Sequence, residues 1–351
     1  MTVQTVKTVG LYGITHALID ATCIMVLYLT IVFNNLSYEF SFFIVVLYNI
    51  IAFGTQSIIG NIFDKINKPR WCAIIGCVLT AMSAILWKNP VAAVLCAGFG
   101  NAFFHVGGGI ICLRTGRGNS AIPGMYVAPG ALGLFIGLLI AKNDWVSPYI
   151  FSAILALSAL FIFLYKEEGE NYIAKRQSSI ICNKFLLICN FLLFAIAIRS
   201  FIGLSISLPW NGNIILAACL TFAVVSGKFF GGIIADKFGW LKVTVIALLI
   251  SSPLIAYGIN SPALYILGIF FFNFTMPVTL TALSNMLPKR EGFAFGLTTL
   301  ALIIGALPTF YISKFGLGNE LIIFLTVIAS AFLIFFGLKE YEKSMENSSK
   351  K

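Results

Sequence analysis

Charge is the scarcest ingredient of this sequence. Charged residues fill 10% of its 351 positions, against about 25% in a soluble domain, while apolar residues fill 59%. So few charges cannot cover a water-soluble protein of this length. An ordinary globular enzyme, a disordered chain and a secreted disulfide scaffold are thereby excluded. Histidine is nearly missing too: there are two, His16 and His105. There is no HExxH helix, no Walker loop, and no second membrane carboxyl of the kind an aspartyl intramembrane protease needs. None of the eight cysteines (Cys23, Cys72, Cys77, Cys96, Cys112, Cys182, Cys189, Cys219) stands in a CxxC pair or at ligand spacing from a histidine. They read as small packing residues of helices. Neither an enzyme nor a bound metal or cofactor is expected.

What is abundant is long apolar runs. A membrane helix needs about 20 such residues, and the chain offers twelve candidates. Six are 9–33, 39–60, 71–88, 90–113, 121–141 and 146–165; six more are 184–209, 212–235, 241–259, 262–287, 293–313 and 320–338. The first is too long for a signal-peptide core and reads as a retained span. Between the sixes lies the most polar internal stretch, 166–179, KEEGENYIAKRQSS. The organisation expected is an N-terminal bundle over 1–165, a linker over 166–179, and a C-terminal bundle over 180–351. Connections are short, leaving no room for a soluble domain.

The formal charge of +10 would by itself suggest nucleic acid. Its distribution says otherwise. With both termini inside, the outer loops carry only Lys88, Lys142 and Lys314, and Arg199 and Lys228 fall within spans. Every other Lys and Arg lies at the inner ends. That is the positive-inside bias, which implies an integral membrane protein with cytoplasmic termini and no nucleic-acid partner. The tryptophans, Trp71, Trp87, Trp145, Trp210 and Trp240, all fall at or beside span ends, where an amphipathic ring suits the headgroup region.

The two sixes are copies. At an offset of 172 residues, without a gap, Gly60 falls on Gly232, Asp64 on Asp236, Lys65 on Lys237, Pro90 on Pro262, Asn101 on Asn273, Gly124 on Gly296 and Gly133 on Gly305. Parallel repeats of this kind are a transporter architecture with the substrate site near mid-membrane. The first copy reads Gly60-Asn-Ile-Phe-Asp64-Lys65 and runs on to Arg70; the second reads Gly232-Ile-Ile-Ala-Asp236-Lys237. Glycine lets helices approach, and an aspartate at a helix end can face a neighbouring helix N-terminus. Gly60, Asp64, Lys65, Arg70, Gly232, Asp236 and Lys237 are therefore the candidate conformational-gating residues.

This pair of loops resembles the signature of the major facilitator superfamily, and the resemblance covers essentially the whole chain. It implies an all-α membrane protein of twelve transmembrane helices in two pseudo-symmetric six-helix bundles, working as a secondary transporter. Within the superfamily, Gly98-Phe-Gly100-Asn101-Ala-Phe-Phe104-His105 and Arg199-Ser200-Phe-Ile-Gly203 resemble the fosmidomycin-resistance type of efflux protein. Span 5 (Gly124, Ala128-Pro129, Gly133) is a degenerate form of the proton-antiporter pattern.

Ionisable groups at membrane depth are costly and mark function by default. His16 and Asp20 lie four apart on span 1, Asn101 and His105 four apart on span 4, with Arg199 on span 7, Lys228 on span 8 and Asn273 on span 10. Spans 1, 4, 7 and 10 line the central cavity in the superfamily. Asp20, with His16, is the expected proton-coupling group. Arg199 is the expected anchor for an anionic substrate through its planar fork, joined by His105, Asn101, Asn273 and Lys228. An Asp20 competing with substrate for Arg199 would couple the two; a static pair of Asp20 with Arg199 or His16 is the structural alternative.

The expected function is proton-coupled export of a small organic anion or drug across a bacterial-type inner membrane. Uptake of a small anionic metabolite and a non-transporting sensor or scaffold are the alternatives. The expected partners are the small molecule, protons and membrane lipid, with the chain a monomer.

Overall fold

The computed structural model describes residues 1–165, 184–210, 212–311 and 319–349. The expected linker at 166–179 lies outside them, as do Cys182 and Lys314. Helix accounts for nearly everything described, and no strand occurs among the described residues. The twelve expected spans are all present as helices. The first six are α1 (Val3–Phe33), α2 with α3 (Tyr38–Asn49, Gln56–Ile66), α4 (Pro69–Ile85), α5 (Pro90–Gly116), α6 (Ala121–Asn143) and α7 (Pro148–Leu164). The second six are α8 (Phe185–Ser205), α9 (Ile214–Phe238), α10 (Trp240–Tyr257), α11 with α12 (Pro262–Phe272, Thr275–Met286), α13 (Glu291–Tyr311) and α14 (Glu320–Ser349). Ten are long and apolar enough to cross a membrane; α4 and α7 are apolar but shorter. Large apolar side chains such as Phe161, Phe194, Phe222 and Phe332 stand exposed on helix surfaces, as expected where lipid and not water is the solvent.

Helix starts follow local chemistry. Pro69, Pro148 and Pro262 sit in the first turns of α4, α7 and α11, where the missing N–H costs nothing. The Thr2, Ser37 and Asn213 side chains accept from the opening amides of α1, α2 and α9. Two spans are interrupted. In span 2 a five-residue π turn (Ile50–Gly54) separates α2 from α3. In span 10 the helix breaks at Asn273 and Phe274. Pro277 explains the second break: it has no N–H for the Asn273 carbonyl four residues earlier, and its ring crowds that carbonyl. The carbonyl instead accepts from Met276 N at 3.3 Å.

The described chain forms two compact units. One comprises Met1–Thr115, Pro129–Tyr172 and Arg290–Leu300; the other comprises Gly116–Ala128, Ile173–Lys289 and Ala301–Lys351. In the first, α1, α4 and α7 pack on one another; in the second, α14 packs on α8 and α10. These trios correspond under the 172-residue offset: α7 begins at Pro148 and α14 at Glu320, and α4 ends at Ile85 and α10 at Tyr257. Tyr12, Ile19, Met25, Phe104, Ile110 and Leu155 fill the core of the first unit, and Ile188, Leu192, Leu248, Ile255 and Ile334 that of the second. Two helices change unit along their length, α6 at Pro129 and α13 after Leu300.

Candidate functional site

The first unit buries a polar cluster where α1 meets α5. His16 and Asp20 share one face of α1, and the His16 Nε2 lies 3.2 Å from Asp20 Oδ2. Asn101 and His105 share a face of α5. The Asn101 amide donates to Asp20 Oδ1 at 3.0 Å, and His105 Nε2 lies 3.6 Å from the same oxygen. The His105 Nδ1 donates to the Asn101 backbone carbonyl at 2.8 Å. Since a carbonyl only accepts, this bond fixes the proton on Nδ1 and turns Nε2 toward Asp20. The imidazoles meet edge to face with centroids 4.3 Å apart. All four residues are at least nine-tenths buried. One carboxylate thus has three polar neighbours at membrane depth, an arrangement able to hold and pass a proton. The contact between Asp20 and His16 expected as a structural pair is present, as part of this larger group.

Gly130 of α6 completes the enclosure. A β-carbon there would lie 2.5 Å from Asp20 Oδ2 and 2.6 Å from His16 Nε2, so only glycine lets α6 pass this close. Sequence reading had noted the neighbouring Ala128-Pro129 and Gly133 but not Gly130. The Pro-Gly step inside an apolar run was the available signal.

In the second unit Arg199 of α8 is 8% exposed. Its guanidinium lies over the Phe272 ring, 4.9 Å from the centroid, and its Nε is buried with no hydrogen-bond partner. No carboxylate pairs with it among the described residues. Asn273 caps α11 at the span 10 break, its amide donating to the Ile269 carbonyl at 2.9 Å. Lys228 is half-buried on α9.

The two loop aspartates meet helix N-termini. Asp64, at the end of α3, accepts from the Gly292 and Phe293 amides of α13 at 2.8 Å each. Asp236, at the end of α9, accepts from the Ser120 and Ala121 amides at the start of α6 at 2.9 and 2.8 Å. The targets obey the same 172-residue offset as the aspartates, Ser120 matching Gly292 and Ala121 matching Phe293. Unpaired first-turn amides and the helix dipole favour a carboxylate there. Gly60 allows the approach: a β-carbon would strike the Gly292 carbonyl, and at Gly232 it would lie 2.6 Å from that of Ser120. Lys65 and Lys237 are exposed at the ends of α3 and α9, and Arg70 is half-buried at the start of α4.

Several residues at these contacts went unread in the sequence. Arg114, counted there as a topology charge, is buried and donates to Asn67 Oδ1 at 2.8 Å, and it pairs with Glu291 at 3.4 Å. Arg290 donates to Asn61 at 3.0 Å. Ser120 and Trp240 give Asp236 two further donors, Oγ and Nε1, at 2.8 Å each.

A family profile described as Major Facilitator Superfamily matches residues 10–306. Among solved structures, the chain is similar to the E. coli fucose:proton symporter FucP, with 14% identity over 95% of this chain and 99% of that one and a TM-score of 0.67. A structure titled as FucP in the outward conformation aligns with the same identity and score over 93% of this chain and 99% of that one. The human organic anion transporter MFSD10 aligns over 96% of this chain and 100% of its own, at 15% identity and a TM-score of 0.69. At such identities the likeness concerns the fold. No curated protein matches the sequence.

Proposed function

Because this chain belongs to the Major Facilitator Superfamily, a family of transporters and not of enzymes, we propose that it moves a small organic anion across the membrane by proton-coupled alternating access. The observation that carries this reading is Arg199. A buried guanidinium with an unpartnered Nε and no carboxylate on it among the described residues is costly to keep in a membrane. A carboxylate, phosphonate or phosphate ligand would meet its fork bidentately, and Phe272 would hold the cation flat for it. His105, Asn101, Asn273 and Lys228 are the further binding residues of this proposal, with Asp20 and His16 exchanging the proton.

Export, as in the fosmidomycin-resistance type, is the first direction proposed, at a bacterial-type inner membrane, with both termini cytoplasmic and the chain a monomer. Asp64 and Asp236 act as gates: their bonds to the N-termini of α13 and α6 hold one state and part in the other. Uptake is the second reading, favoured by the likeness to a proton symporter.

Counterflow of labelled small carboxylates and phosphonates, fosmidomycin included, in proteoliposomes tests the proposal. Saturable exchange is expected, with net accumulation abolished by a protonophore. Absence of flux across the panel would overturn it in favour of a sensor or scaffold.

A further inference from the structure

We propose that His16, Asp20 and His105 form a binding site for a first-row divalent transition-metal ion. The sequence holds only two histidines in 351 residues, and the fold brings both to the one acid buried between α1 and α5. One ligand atom from each of the three lies within 4.8 Å of the others. The two imidazole-to-carboxylate separations are 3.2 and 3.6 Å. In a tetrahedral site with metal–ligand bonds of about 2.0–2.1 Å, ligand atoms stand about 3.4 Å apart. These two separations, each to a different oxygen of the carboxylate, bracket that spacing, and with all three ligand atoms within 4.8 Å of one another side-chain rotation has to draw them together to close on an ion.

Two further observations support a ligand set over a chance cluster. The first is that His105 has an orienting partner: its Nδ1 donates to the Asn101 carbonyl, which leaves Nε2 as the donor atom facing the trio. That carbonyl-to-imidazole bond is the arrangement metal-bound histidines use to fix ring and tautomer. The second is that the Asn101 Oδ1 is buried with no hydrogen-bond partner, while the same amide donates to Asp20. A water on the metal would supply the missing donor. Two imidazoles and one carboxylate suit Zn2+, Co2+, Ni2+, Mn2+ or Fe2+. Mg2+ and Ca2+, which take oxygen ligands in larger number, are excluded by the same set.

Isothermal titration of the full-length protein, purified in detergent without a polyhistidine tag and stripped with a chelator, tests the inference. Zn2+ and Co2+ are expected to bind one per chain, and Mg2+ not at all. Bound Co2+ is expected to give the visible absorption of a tetrahedral nitrogen-ligated ion, which must come from His16 and His105 because the chain has no other imidazole. His16→Gln, His105→Gln and Asp20→Asn are each expected to weaken Zn2+ by more than the about 10–100-fold that loss of an outer-shell partner costs. A Zn2+-dependent rise in the unfolding temperature of the wild type gives a second readout that no variant needs to fold for. Wild type that binds neither ion, or variants that bind as tightly as wild type, would overturn the site. Since binding is read without transport, that failure would leave the anion reading standing.

Discussion

The two copies of the repeat keep the same helix-end contact and diverge in their membrane chemistry. Asp64 and Asp236 each cap a helix start at positions 172 residues apart, through bonds of 2.8–2.9 Å. At mid-membrane the correspondence fails. Asp20 falls on Leu192, His16 on Ile188 and His105 on Pro277, leaving only the Asn101 and Asn273 match. The first unit holds an acid already surrounded by partners, and the second a cation, Arg199, with no carboxylate partner among the described residues. Duplicated scaffolding with unlike chemistry suits the proposed proton-coupled transport, in which anion and proton need different binding groups. The end contacts differ too. Asp64 feels the charges of the buried Arg114–Glu291 pair, whereas exposed Asp236 takes its side-chain bonds from the neutral donors Ser120 and Trp240.

The sharpest test of this division is Arg199→Ala. Transport is expected to fall about 100-fold, or about 2.7 kcal/mol, within the about 1.5–3 kcal/mol of one hydrogen bond to a charged group, with unfolding temperature little changed because no carboxylate among the described residues is orphaned. Asp20→Asn comes next. Proton-driven accumulation in proteoliposomes is expected to be lost while counterflow persists; equal loss of both would assign Asp20 to binding instead. Comparing Asp64→Ala with Asp236→Ala probes the end contacts. Thermal unfolding should show the larger drop for Asp64, about 1–2 kcal/mol by the scale of helix caps, since Asp236 is exposed and water replaces part of its bonding. Equal drops would break the distinction. The smallest effect is expected for Trp240→Phe, which removes one donor from Asp236 and should shift unfolding slightly while leaving Asp64-dependent behaviour intact.

Where residues share a helix, the sequence was readable. His16 with Asp20 and Asn101 with His105 declare their faces by a spacing of four, and the offset exposes Asp64 and Asp236. Convergence of the two faces was not readable, because a spacing of four places residues on one face of their own helix and carries no information on which other helix that face meets. The Arg114–Glu291 pair spans 177 residues and falls outside the repeat, Glu291 matching Asn119. Apolar continuity also hid both span breaks. A hydropathy run records lipid contact and is silent on whether the helix within it is regular, so Pro277 was the only visible mark of the break at Asn273.

The Asp64 contact sets a schedule for the protein's own synthesis. Its acceptor and the Gly292 amide are 228 positions apart, so at about 5–20 residues per second the carboxylate waits roughly 10–50 s for its donors to leave the ribosome. Through that interval the first unit lacks Arg290–Leu300, and the Asp64 carboxylate has neither of its backbone donors. Truncation before α13 would therefore remove part of the earliest-made unit, and the insertion machinery must shelter an N-terminal bundle whose last piece is among the last to be translated.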